Sequence, residues 1–211
     1  MTFLQKVLPN GTAGIGVVQN PQDLNMLTHP ECAGVIWQRD MPSPFQAWID
    51  GLEPDHLPST RMVVQTQDVR AAVLNACCDA GMENSAHRQH LINDIAGLVH
   101  RFRDIMDVSY MRLRLDRVTT NACRKFHVDA ITARLVCTYR GTGTQYGTSR
   151  EHADPDVIHT VPTGAPILLR GALWPQQTPT GVLHRSPPIE GSGETRLVLV
   201  LDPIFDLEDE M

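Results

Sequence analysis

Tyr110-Met111-Arg112-Leu113-Arg114-Leu115-Asp116 alternates polar and apolar side chains without a break. Successive side chains of an extended strand leave on opposite faces, so this period of two marks a strand with one face in a core. Immediately upstream the period is different. Leu91, Ile92, Ile95, Leu98, Val99, Phe102, Ile105 and Met106 recur at intervals of three and four, the stripe of an amphipathic helix. Asn84 or Ser85 is placed to cap it, and His87, Arg88, Asp94, Arg101 and Asp104 form its polar face. The change of period near Ser109 predicts a helical block followed by a sheet.

Working outward, residues 68–81 give a second, earlier helix with Asp68 at its cap. The first 60 or so residues are broken by Gly11, Gly14, Gly16 and six prolines from Pro21 to Pro58, and read as one or two short strands and loops around Val17-Val18 and Val35-Ile36. Downstream, strands are expected at 133–139, 157–160, 166–169, 180–185 and 195–201. The turn signals between them are Arg140-Gly141-Thr142-Gly143, Pro162-Thr163-Gly164, Gly171 and Gly191-Ser192-Gly193. Six or seven short strands after helices predict an α+β chain, an antiparallel sandwich or jelly roll with helices packed on it. The expected organisation is one domain: 1–66 as an N-terminal extension of short strands and loops, then 67–211 as helices followed by the jelly-roll core. Asp206, Glu208, Asp209 and Glu210 read as a solvated acidic end.

Composition narrows the classes. With 211 residues, 42% of them hydrophobic, the chain can bury one substantial core. A net charge of −6 argues against a nucleic-acid partner gripped through a basic surface. Yet nine of the 18 basic residues fall between Arg101 and Arg140, so the middle of the chain can attract anions. No run approaches the roughly 20 apolar residues that cross a bilayer, and Met1-Thr2-Phe3-Leu4-Gln5-Lys6 lacks a signal pattern, so a cytoplasmic location without membrane partners is expected. The five cysteines (Cys32, Cys77, Cys78, Cys123, Cys137) are an odd set without a Cys-x-x-Cys spacing, which predicts free thiols.

The chemistry concentrates in Arg124-Lys125-Phe126-His127-Val128-Asp129 and Gly181-Val182-Leu183-His184-Arg185-Ser186-Pro187-Pro188. On a strand His127 and Asp129, two apart, point the same way and can share an ion. With His184 they make two imidazoles and one carboxylate, a facial set that leaves the opposite positions of a divalent ion open. The other seven histidines lack a convincing partner carboxylate.

This arrangement resembles the Fe(II)- and 2-oxoglutarate-dependent oxygenases, over roughly residues 109–202. The resemblance implies a double-stranded β-helix, cupin-like, with His127, Asp129 and His184 as iron ligands and Arg196, twelve positions past His184, as anchor for the far carboxylate of 2-oxoglutarate. It implies hydroxylation or demethylation of a substrate, small molecule or protein, as the activity. Tyr139 and Arg134, on the strand after the His-x-Asp segment, are further candidate contacts for the co-substrate, against a structural role for each. Arg185 competes with Arg196 for the anion, although it should point to the opposite face from His184. The segment around 123–146 and the His-Arg-Ser-Pro-Pro run are also similar to an uncharacterised bacterial domain family associated with zinc-limitation gene neighbourhoods.

Two other readings stand beside the oxygenase. Cys123, four before His127, could join the triad as a fourth ligand in a closed Zn(II) site, making a non-catalytic zinc-binding or zinc-homeostasis protein. Four residues of extended strand span more than about 12 Å, which opposes this unless a turn intervenes. The other is a silent jelly-roll interaction module with structural histidines. Gly141-Thr142-Gly143-Thr144 lacks the Gly-Lys-Ser/Thr ending of a phosphate loop and reads as a tight hairpin turn. Ser186 has no nucleophile-elbow context.

Overall fold

The alternation that begins at Tyr110 sorts side chains between two cores. In the computed structural model, which describes residues 14–149, 153–175 and 180–207, the elements in chain order are β1 (Ile15–Val18), β2 (Gly34–Trp37), α1 (Ser43–Gly51), β3 (Thr60–Gln65), α2 (Val69–Asp79), α3 (Ala86–Met106), β4 (Tyr110–Val118), β5 (Ala133–Arg140), β6 (Gln145–Thr148), β7 (His159–Thr160), β8 (Pro166–Arg170), β9 (Val182–Arg185) and β10 (Arg196–Ile204). The residues read for a signal pattern, His152, and Glu208, Asp209 and Glu210 of the acidic end lie outside the described residues.

Met111, Leu113 and Leu115 of β4 are buried in one core with Leu91, Ile95, Leu98, Val99 and Phe102 of α3. Each large apolar side chain so buried stabilises by roughly 1.5–3 kcal/mol. Helix α3 starts where Ser85 Oγ accepts the backbone N–H of Arg88 at 3.1 Å. It stops at Asp107, whose left-handed backbone (φ 52) returns its N–H to Arg103 O. Asp68 occupies the cap position of α2, but its side chain makes no capping bond.

Seven strands form one sheet in the order β1-β2-β8-β5-β10-β4-β3, antiparallel except for β1 with β2. A smaller sheet, β7-β6-β9, faces it and is extended by an isolated bridge between His127 and His184. Between the sheets lies a second core of Ile36, Val136, Tyr146, Ile167, Val198 and Val200, among others. This is the α+β jelly roll expected, with helices on the outer face of the larger sheet. Among the described residues, no helix is long and apolar enough to cross a membrane.

Several local expectations change. The proline-broken first segment contains α1, because Pro44 sits in its first turn, where a missing N–H costs nothing. It also contains β3, an edge strand with exposed Met62 and Val63 that lacks a period-two pattern. The candidate at 157–160 shrinks to β7, and β6 was not anticipated. The stretch Gly141 to Thr144 is not a hairpin turn, since β5 and β6 belong to different sheets; it is a corner between them. Gly143 is required there, because a Cβ would collide with the Val161 carbonyl oxygen.

Candidate metal centre

The segment between β4 and β5 is irregular except where His127 pairs with His184. Each donates its backbone N–H to the other's carbonyl at 3.0 Å, which sets the two imidazoles side by side, ring centroids 4.5 Å apart. Asp129 is not on a regular strand. Its loop is pinned by Ala172 N–H donating to Asp129 O (2.7 Å) and Leu173 N–H donating to Ile131 O (3.0 Å). The three side chains nevertheless converge, with one candidate ligand atom of each within 4.8 Å of the others.

The distances fit a shared ion. His184 Nε2 lies 3.0 Å from Asp129 Oδ2, and His127 Nε2 lies 3.4 Å from Asp129 Oδ1. Ligand atoms each about 2.1 Å from one cation sit about 3 Å apart. Asp129 Oδ2 is buried and makes no well-aligned hydrogen bond, with His184 Nε2 at 3.0 Å as its polar neighbour, an arrangement that a cation shared by the two would satisfy. His127 Nδ1 lies 2.8 Å from the Lys125 carbonyl, an acceptor that assigns the proton to Nδ1 and leaves Nε2 free to ligate. Burial alone would raise the Asp129 carboxyl, but His184, with Arg134 and His127, outweighs it and holds it down to about 2. Burial also lowers His184 below its ordinary value, against the pull of Asp129, which favours the neutral, ligating ring.

Asp129 Oδ1 is held from behind. Arg134 Nη1 donates to it at 2.5 Å, while Arg134 Nε and Nη2 donate to Asp202 at 2.7 and 2.9 Å. Arg134 lines the cavity, but its nitrogens are engaged by carboxylates, so it orients Asp129 where a contact to the co-substrate was expected. Asp202 was missed. The signal was present, since a charge on the same strand face as Arg196, Val198 and Val200 needs a partner.

Tyr139 is a correction. Leu135, Cys137 and Tyr139 share one face of β5, turned toward the helices, while Arg134, Val136 and Thr138 share the other. Arg134 and Tyr139 are five apart, an odd separation, so one strand cannot aim both at one ligand. Tyr139 is fully buried and its hydroxyl donates to Asp94 Oδ2 at 2.6 Å, where Asp94 also accepts from both terminal guanidinium nitrogens of Arg39 at 2.7 Å. The closed zinc site is not assembled either. Cys123 is exposed and borders the same cavity, but its thiol is not among the converging ligand atoms. Between α1 and α3, His87 stacks on Trp48 and His90 packs at a tilt against Phe45.

His127 and His184 of the triad line a cavity of about 120 Å³ between the sheets, walled by Val136, Val198 and Val200 and reaching Arg196. Arg196 is 1% exposed. Its Nε donates to Thr142 O (2.6 Å) and its Nη2 to Thr138 Oγ1 (3.3 Å), and no carboxylate forms an ion pair with it among the described residues. Burial pulls its pKa down to about 10, with Glu194 opposing, so it stays charged at neutral pH. Arg185 instead stacks on Phe126 (4.4 Å to the ring centroid), and its Nε donates to Gln145 Oε1 at 2.8 Å.

The fold has solved counterparts. A dioxygenase for auxin oxidation from rice superposes with a TM-score of 0.51 at 11% identity, covering 92% of this chain and 84% of that one. The dioxygenase for auxin oxidation 1 of Arabidopsis thaliana, solved with 2-oxoglutarate, gives 0.54 at 8% identity, covering 93% and 94%. At such identities the likeness shows the fold alone. No curated protein matches in sequence. A sequence profile matches over residues 18–202, nearly the whole chain, and the protein therefore belongs to the DUF1826 family, described as proteins of unknown function.

Proposed function

We propose that this protein is a non-haem Fe(II), 2-oxoglutarate-dependent oxygenase. The observation that carries the reading is the convergence of His127, Asp129 and His184 beside a cavity lined by both histidines and by Arg196, a buried guanidinium with no carboxylate ion pair among the described residues. A three-ligand face leaves positions open for a co-substrate and oxygen, unlike a closed structural zinc site. The jelly-roll likeness to two plant dioxygenases supports the class.

Each residue then has a task. His127 Nε2, His184 Nε2 and Asp129 Oδ2 hold the ion, with Arg134 fixing Asp129 through Oδ1. Arg196 pairs with the distal carboxylate of 2-oxoglutarate, its planar fork suited to two oxygens at once, and Thr138 Oγ1 keeps the guanidinium in place. Val136, Val198 and Val200 exclude water from the space between. Fe(II) held there would supply oxygen activation, coupling oxidation of 2-oxoglutarate to succinate and CO₂, with one atom of O₂ entering succinate, to insertion of the other atom into the substrate. The product is a hydroxylated substrate, or a demethylated one where the hydroxylated carbon is a heteroatom-bound methyl.

The test is anaerobic loading with Fe(II), addition of 2-oxoglutarate and O₂, and measurement of succinate. Wild type should release succinate above a metal-free control, and His184→Ala should not. Stoichiometric zinc that resists exchange, with 2-oxoglutarate neither bound nor consumed, would overturn the reading.

A further inference from the structure

Arg114 and Arg61 stand opposite one another in register on β4 and β3. Directly opposed residues of an antiparallel pair leave the sheet on the same side, and like charges so placed repel. Arg114 lines the metal-site cavity, and Arg61 is exposed on the edge strand. Their compensation is thin. A guanidinium offers five N–H donors, but among the described residues Arg114 makes one hydrogen bond, Nη2 to Asp202 Oδ2 at 3.2 Å, and its buried Nε meets no acceptor. Arg134 already takes that carboxylate more tightly, at 2.7 and 2.9 Å. No ion pair reaches Arg61 among the described residues.

The charge balance points the same way. Four guanidiniums border the cavity (Arg114, Arg134, Arg185, Arg196), against Asp116 on its wall and Asp129 and Asp202 beside Arg134. A divalent ion and a dianionic co-substrate would cancel, and Glu194 offsets Arg196, so the uncompensated positive charge is local to Arg114 and Arg61. Arg114 and Arg196 are also separate positions. On β4 and β10, Arg114 pairs with Val200 and Arg196 with Val118, four residues apart along the strands, about 13 Å at roughly 3.3 Å per residue. Two separated cations serve two anionic groups.

We propose that Arg114, backed by Arg61, recognises an oxyanion, carboxylate or phosphate, on the small molecule that this protein oxidises. The proposal rests on the oxygenase reading for the identity of that molecule as a substrate. The anion site itself stands on the geometry of β3 and β4.

The test uses the full chain, metal-free and also loaded anaerobically with Fe(II) and 2-oxoglutarate. Calorimetry compares benzoate with benzamide, phenylacetate with phenylacetamide, and phenyl phosphate with phenol. Wild type should bind at least one anion about tenfold or more tightly than its neutral counterpart, the size of one charge-assisted contact. The phosphate and carboxylate arms identify which group is preferred. Arg114→Met should bring that ratio close to one while the Kd for 2-oxoglutarate stays within about twofold. Arg61→Gln, at an exposed position that folding tolerates, should reduce the ratio in the same direction and decides the matter if Arg114→Met does not fold. No discrimination in wild type, an unchanged ratio in the variants, or a loss of 2-oxoglutarate affinity in Arg114→Met equal to that in Arg196→Met overturns the proposal. If wild type discriminates anions but binds no 2-oxoglutarate, the oxygenase reading fails while the anion site survives.

Discussion

Replacing Arg134 by leucine removes the tightest donor from two buried carboxylates at once. The Asp129 and Asp202 side chains are 12% and 4% exposed, and Arg134 is the donor to Asp129 Oδ1 and to both oxygens of Asp202. Arg114, at 3.2 Å, would remain beside Asp202, with Arg112 opposite it in register on β4. Removing one partner of a buried ion pair costs about 3–5 kcal/mol, a large part of the 5–15 kcal/mol that holds a typical domain folded, by order of magnitude. For a chain of this length each kcal/mol moves Tm by about 2–4 °C, so the metal-free variant should melt on the order of 10 °C lower. Metal affinity should fall about 10–100-fold, because Asp129 loses the contact that fixes its carboxylate plane. Thermal melts of metal-free protein and calorimetric titration with Mn(II) read the two effects separately. The double variant Arg134→Leu with Asp202→Leu should cost less than the sum of the single changes, since fewer buried charges are left unpaired. A Tm within a degree of wild type together with unchanged Mn(II) affinity would refute the clamp.

Three further predictions follow from the placement of individual side chains. Tyr139→Phe should leave metal and 2-oxoglutarate binding unchanged, and cost about 1.5–3 kcal/mol at neutral pH for the lost bond to the Asp94 carboxylate, read by denaturant melts. Burial, and then Asp94, push the Tyr139 hydroxyl well above its ordinary value, so above about pH 10 the unfolded chain releases a proton that the folded one keeps; stability must fall as pH rises there, and the Phe variant should flatten that decline. Arg196→Met should weaken 2-oxoglutarate binding about 10–100-fold with metal affinity retained, and equal loss of both would show that the change is structural. Cys123→Ser should leave metal stoichiometry and affinity as they are; a lost equivalent of metal would restore the four-ligand site.

What could be read from the chain followed from short-range rules. The period of two from Tyr110 and the stripe from Leu91 to Met106 needed only the geometry of one strand and one helix, and together they announced which faces of β4 and α3 would meet. The pair His127 and Asp129 was picked out by the parity rule of a strand, although Asp129 lies on a loop that brings its carboxylate to the histidines. The same parity rule, applied within β5, would have excluded Tyr139 from the cavity that Arg134 reaches, because five positions turn a side chain to the opposite face. Pro44 hid α1, since a proline that breaks a helix inside it starts one at its first turn.

Contacts between distant positions belonged to the tertiary structure. Arg134 and Asp202 are 68 residues apart and His127 and His184 are 57 apart; they meet because β10 inserts between β4 and β5 and because His127 joins the smaller sheet beside β9. No local preference encodes that insertion, which is settled by how both faces of the larger sheet are covered at once. The sequence by itself determined the residue types for a metal face and a jelly roll. The folded chain alone decided that Asp129 keeps one oxygen free, that Arg134 holds the other, and that Arg114 is left facing the cavity with donors to spare, because each depends on charges brought together across strands.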